Sequence, residues 1–141
     1  MIKNILTVIC QSIITDKETN LVSYLNCIEQ IKSPQFPIRL PFVSLGMLWQ
    51  KTEEKSLTLK VRIKLLSPDN KEKTIGEMKS DMNNPRQRQH IVMNGLPIEC
   101  PGKYIFIVEN YTSNKWKQAT SVSLDVIQEK IVPNKVPKKI D

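Results

Sequence analysis

Along residues 57–65 apolar and polar positions alternate without a break: Leu57, Leu59, Val61, Ile63 and Leu65 are separated by Thr58, Lys60, Arg62 and Lys64. Successive side chains of an extended chain point to opposite faces, so the pattern predicts a strand with one face in a core and the other in water. Ser67-Pro68-Asp69-Asn70 ends it, because proline removes a ladder donor and fixes φ while Asp and Asn accept turn geometry. Similar units recur at similar spacing on both sides.

Residues 5–15 (ILTVICQSIIT) are rich in β-branched side chains, which lose rotamer freedom in helices and suit a pleated surface. A polar link, residues 16–20, precedes a second run at 21–31 (LVSYLNCIEQI), giving a hairpin. The apolar positions of that second run do not alternate cleanly, and a helix is its alternative. Residues 33–41 carry Pro34, Pro37 and Pro41. Each fixes its own φ and extends its predecessor, which predicts a stiff crossing from one sheet to another. Residues 42–50 (FVSLGMLWQ) form a third strand, with Trp49 wedged at its end.

Residues 74–82 (TIGEMKSDM) read as an edge strand guarded by Glu77, Lys79 and Asp81. A polar loop is expected at 83–88, then a short strand at 89–93. In residues 103–110 (KYIFIVEN) Tyr104, Phe106 and Val108 share one face and Ile105 and Ile107 the other; two apolar faces mark a central strand. Residues 119–127 alternate again through Val122, Leu124 and Val126. The sum is about eight strands and no convincing helix. The expected fold is all-β: a single antiparallel β-sandwich of about 7–9 strands, immunoglobulin-like or C2-like, with a barrel as the alternative. It occupies residues 1–128, and residues 129–141, with Lys130, Lys135, Lys138 and Lys139, form a basic, loosely ordered tail.

Charge alters this picture modestly. A net charge of +7 suits a polyanion partner, but no basic run interleaves with aromatics, so lysine as a solubilising residue is the competing explanation. Cys10, Cys27 and Cys100 are odd in number and widely spaced, which fits neither a zinc site nor a disulfide scaffold. Three buried thiols in a reducing compartment are expected instead. The apolar stretch near the N-terminus is too short for the core of a signal peptide, and no run reaches the roughly 18 apolar residues of a membrane span. A cytoplasmic protein without membrane contact is expected.

Reactive clusters are sparse. The sole histidine, His90, has no nucleophile elbow beside it, and carboxylates are dispersed. Glycines at 46, 76, 95 and 102 cannot build a phosphate cradle. Asp69-Asn70 and Asp81-Asn83-Asn84 could ligate calcium at a sandwich tip, against which the positive charge counts. Two groups of candidate contacts stand out. Arg86, Arg88 and His90, with Lys79 before them, concentrate basic charge for a phosphate or acidic partner, or are a solvated loop. Trp49, Tyr111 and Trp116 lie beside turns, where aromatics anchor interfaces or cap the core.

Several stretches together resemble a family of small uncharacterised bacterial β-sandwich proteins, a domain of unknown function. They are the first strand ending near Cys10, the turn and strand NLVSYLNCIEQI, the crossing FPIRLPF, the strand LxLxVxIxLLSPDN, and CPGKYIFIVEN, covering roughly residues 5–127. Where that turn usually has glycine this chain has Asn70, which also tolerates left-handed geometry. The PGxYxFxV run from Pro101 also recurs in immunoglobulin-like sandwiches, opening a core strand after a tight turn. The resemblance implies the fold and brings no catalytic, cofactor or ligand residue with it. The expected function is a non-catalytic binding module that engages a protein partner or a second copy of itself. A nucleic-acid or other polyanion binder is the alternative, and a small enzyme or a calcium-binding sandwich comes behind both.

Overall fold

The computed structural model describes residues 1–130. Eleven strands follow one another: β1 (Ile2–Thr15), β2 (Val22–Cys27), β3 (Gln30–Ser33), β4 (Ile38–Leu40), β5 (Val43–Lys51), β6 (Leu57–Leu66), β7 (Glu72–Met82), β8 (Arg86–Met93), β9 (Leu96–Ile98), β10 (Gly102–Thr112) and β11 (Lys115–Gln128). The all-β class holds, and no helix occurs among the described residues. The strands form a four-stranded sheet β2-β1-β5-β8, a five-stranded sheet β3-β11-β10-β6-β7 and a two-stranded ribbon β4-β9. Three sheets of eleven strands replace the single sandwich of about 7–9, and β3 joins β11 in parallel, so the fold is not wholly antiparallel. The expected basic tail lies, but for Glu129 and Lys130, outside the described residues.

The alternation along β6 does what its pattern dictates. Leu59, Val61, Ile63 and Leu65 are buried, and they meet Tyr104, Phe106 and Val108 of β10, Leu124 and Val126 of β11, and Val43, Leu45, Met47 and Trp49 of β5 in one apolar cluster. Strand β10 is the middle strand of its sheet, as its two apolar faces require. The proline-rich crossing carries the chain from β3 in the five-stranded sheet to β5 in the four-stranded one, and within it β4 pairs with β9.

Residues 21–31 are two strands in different sheets, not one. Asn26, one residue before the end of β2, takes a left-handed φ of 54°, and Gln30–Ser33 leave for β11. Asn70, at φ 63°, fills its turn as a glycine would. Gly102 has no such substitute: its φ is 139°, and a Cβ there would sit 2.5 Å from Pro68 Cγ. Beside it the buried Tyr104 hydroxyl donates to the Cys100 carbonyl at 2.7 Å, and burial pushes its pKa up to about 12.

The β1–β2 hairpin shapes the functional surface. Strand β1 pairs with β5 from Ile2 to Cys10 and with β2 from Cys10 to Thr15, so Cys10 is the joint between sheet and arm. Beyond it the arm returns over the outward side of β5. A Cβ on Gly46 would meet the Tyr24 ring at 2.5 Å and Ile13 Cδ1 at 3.1 Å, so a side chain at this position would displace the arm. The arm also explains why Ser44 and Cys10, on that same outward side, are buried.

Candidate functional site

Strand β8 is the outer strand of the four-stranded sheet and pairs only with β5, Arg86 facing Gln50, Arg88 facing Leu48 and His90 facing Gly46. Period two sends Gln89 and Met93 inward and leaves Arg86, Arg88, His90 and Val92 exposed on the outward face. Arg86 and Arg88 therefore stand on a strand, not in the expected polar loop. They occupy a rigid element that spaces them roughly 7 Å apart. The Gln87 and Gln89 side-chain amides donate to Ser80 Oγ at 2.6 and 3.0 Å, tying β8 to β7 of the other sheet.

The hairpin arm completes the site. Thr15, Asn20 and Val22 from the arm, with Leu48, Arg86, Gln87, Arg88 and His90, enclose a cleft of about 470 Å³. No carboxylate lines it. Among the described residues neither guanidinium makes an ion pair. Asp16, next in the chain to Thr15, is engaged elsewhere: it accepts the backbone N–H groups of Glu18 at 2.8 Å and Thr19 at 3.1 Å, and those bonds lower its pKa. Two unpaired guanidiniums, an imidazole, a hydroxyl and the Asn20 amide form a donor-rich recess for an anion. Two smaller cavities are chemically different. A cavity of about 410 Å³ lined by Ile28, Ile31, Leu40 and Phe42 holds no charged side chain. One of about 380 Å³ near Tyr104 mixes Lys71 and Lys73 with Asp69, Glu72 and Glu99, so carboxylates outnumber its cations.

The remaining candidates separate. Lys79 lies on β7, across from Lys60 on the outward face of the five-stranded sheet, and does not join Arg86, Arg88 and His90. Trp49 is fully buried, so it caps the core and offers no surface contact. Tyr111 and Trp116 do meet, edge to face at 5.4 Å, because a bulge after Val108 places them directly opposite each other. Lys60 lies 5.0 Å from the Tyr111 ring, and the Arg62 guanidinium 4.3 Å from the Trp116 ring. Period two put Lys60 and Arg62 on this face; only the three-dimensional pairing of β6 with β10 brings them to the aromatics. Asp69 and Asp81 fall at opposite ends of β7, and no group of three His, Cys, Asp or Glu that could hold a metal occurs among the described residues. The thiols differ from expectation: Cys10 is buried, but Cys100 is half-buried and Cys27 exposed.

Arg62 is already committed. It donates to Glu109 at 2.9 Å, and Lys64 bridges Glu109 and Glu72 at 3.4 and 2.9 Å. Burial works against the Glu109 charge, but Arg62 and Lys64 outweigh it and hold the carboxyl below its ordinary range. A depressed folded-state pKa contributes stability above the unfolded value that is lost as pH falls through the folded one. The stability gap between the wild type and Glu109→Gln is therefore expected to be widest at neutral pH. It closes as pH drops below the ordinary value of 4.5. Urea unfolding at a series of pH values measures it; a gap that stays constant would refute the coupling.

The fold and cleft define a β-rich unit with a cationic recess. Within that class the chain belongs to DUF6941, a family of unknown function, whose model matches residues 5–123. No curated protein matches it. Among solved structures it is similar to the alkylpurine DNA glycosylase AlkC from Pseudomonas fluorescens bound to DNA containing an abasic site analog. The TM-score is 0.56 at 9% identity, over 89% of this chain and 30% of that one. It is also similar to a β-glucosidase from Listeria innocua, with a TM-score of 0.54 at 7% identity, over 93% of this chain and 16% of that one. The chain thus spans a third or less of either enzyme, and at such identities the likeness concerns the fold alone.

Proposed function

We propose that this protein is a non-catalytic binding module, an immunoglobulin-like sandwich with the β4–β9 ribbon packed against its core, that takes an acidic segment of a protein partner into the cleft between the β1–β2 arm and β8. The observation that carries this reading is the pair Arg86 and Arg88, held on a strand, unpaired, beside His90 and with no carboxylate lining the cleft. Guanidiniums donate forked hydrogen bonds to carboxylate or phosphate oxygens, which gives orientation as well as affinity. A peptide carboxylate is favoured over nucleic acid for two reasons. The recess is a local cleft of about 470 Å³ between the arm and β8, sized for a few side-chain anions. The stacking aromatics, Tyr111 and Trp116, lie on the other sheet, away from these guanidiniums.

A second reading, nucleic-acid binding through the outward face of the five-stranded sheet, draws support from Lys60, Lys79 and the Tyr111–Trp116 pair. Fluorescence anisotropy with a labelled hexaglutamate peptide and a labelled single-stranded oligonucleotide, each at about 50 mM salt, separates them. Arg88→Glu is expected to weaken peptide binding by about tenfold or more, equivalent to about 1.4 kcal/mol, without shifting thermal stability. Unchanged peptide affinity in Arg88→Glu, or tight oligonucleotide binding lost in Lys60→Glu, would overturn the cleft reading.

A further inference from the structure

Cys10 and Cys27 are direct partners across β1 and β2. Their neighbours Ile9 and Ile28 are joined by a hydrogen bond from the Ile28 N–H to the Ile9 carbonyl at 2.8 Å. Hydrogen-bonded and non-hydrogen-bonded positions alternate along an antiparallel ladder, so Cys10 and Cys27 occupy a non-hydrogen-bonded site, where opposed Cα atoms stand roughly 4.5 Å apart. A disulfide needs about 4.4–6.8 Å. Opposed residues of a ladder also project from the same face. Cys100 is on neither strand; it sits beside Tyr104, its sulfur 3.7 Å from the hydroxyl.

We propose that Cys10 and Cys27 are a redox-modification site at which a small-molecule disulfide, such as oxidised glutathione, forms a cross-strand bond at the joint of the hairpin arm. Cys27 is exposed and reacts first: its thiolate attacks one sulfur of the oxidant and expels one small thiolate, leaving a mixed disulfide on Cys27. Cys10 then attacks the Cys27 sulfur, breaking the mixed disulfide and expelling the second small thiolate. The two cysteines lose two protons and two electrons, and the oxidant takes them up as two thiols. The order follows from the surroundings, since burial, and then the neighbouring Cys27, push the Cys10 thiol up and make it the poorer first nucleophile.

The consequence is local. Cys10 is both the last β1 residue paired with β5 and the first paired with β2, so the bond fastens the arm where it leaves the sheet. This holds whatever the cleft beneath the arm binds.

The test is incubation of the full chain in glutathione buffers of graded oxidised fraction, alkylation of remaining thiols, and peptide mapping by mass spectrometry. In wild type and in Cys100→Ser the expected product is an intramolecular Cys10–Cys27 link, reversed by dithiothreitol. Cys27→Ser, changed at an exposed position, should leave Cys10 alkylatable. A mixed disulfide persisting on Cys27 with Cys10 free would overturn the proposal. So would a link through Cys100, or three thiols that stay free under oxidising buffer.

Discussion

Replacing Trp49 with alanine is expected to lower the unfolding free energy by about 3–5 kcal/mol, the range for removing a large aromatic from a packed interior. The side chain is fully buried at the end of β5, between Asn4 of β1 and Gln87 of β8 in the sheet. It joins Leu59, Val61 and Phe106 from the facing sheet in the core cluster. Neighbouring strands hold the backbone on both sides, so the cavity cannot collapse easily and the cost falls toward the upper end. The loss should appear as a fall in melting temperature on the order of 10 °C, read by circular dichroism. Two comparisons sharpen the test. Trp49→Phe removes an indole N–H that has no hydrogen-bond partner among the described residues, which offsets part of the lost packing, so its cost should fall well below that of alanine. Tyr111→Ala, at a side chain 40% exposed, should cost under about 1 kcal/mol. Equal losses at Trp49 and Tyr111 would contradict the placement of the two aromatics.

That contrast also marks what could be read from the chain. Period-two alternation is a one-dimensional signal of burial, and it located β6, β10 and β11 and their inward faces, because each strand's pattern is set by the core it covers. The proline-rich crossing was legible for a different reason: three fixed φ angles admit little but an extended path. Residues 21–31 were misread as one strand because the break rests on a single backbone conformation at Asn26, and asparagine is equally at home in a strand end or a turn. The parallel pairing of β3 with β11 joins segments almost a hundred residues apart, and no local pattern encodes it.

The site was half legible. Arg86, Arg88 and His90 stood out as basic residues at every second position, which is itself a strand signature; the polar composition of residues 83–88 obscured it. Lys79 seemed to belong with them by sequence proximity, but the turn at residues 83–85 passes the chain to the other sheet and parts them. The arm's side of the cleft was invisible. It depends on the arm bending at Cys10 and on Gly46 leaving room for Tyr24, and an isolated glycine inside a strand pattern says only that some close approach occurs.

Lys51 shows how the start of β8 is fixed, and carries the second large expected effect. It ends β5 and is 4% exposed, an unusual position for a lysine. Its Nζ donates to the carbonyls of Lys55 at 2.6 Å and Met82 at 2.8 Å, while its backbone N–H donates to the Pro85 carbonyl at 2.9 Å. One residue thus gathers the β5–β6 turn, the end of β7 and the turn into Arg86. Lys51→Met keeps most of the stem but leaves two carbonyls without this donor, and an unsatisfied buried polar group costs about 1–3 kcal/mol. Removing the ammonium also removes the expense of burying a charge, so the expected net loss is about 2 kcal/mol, and Lys51→Ala, which empties the stem as well, should lose about 4. Urea unfolding measures both. The same loosening should reach the cleft, weakening hexaglutamate binding in Lys51→Met although Lys51 does not line it. If Lys51→Met matches the wild type in both stability and binding, the two carbonyl bonds contribute nothing net and the start of β8 is held by backbone pairing with β5 alone.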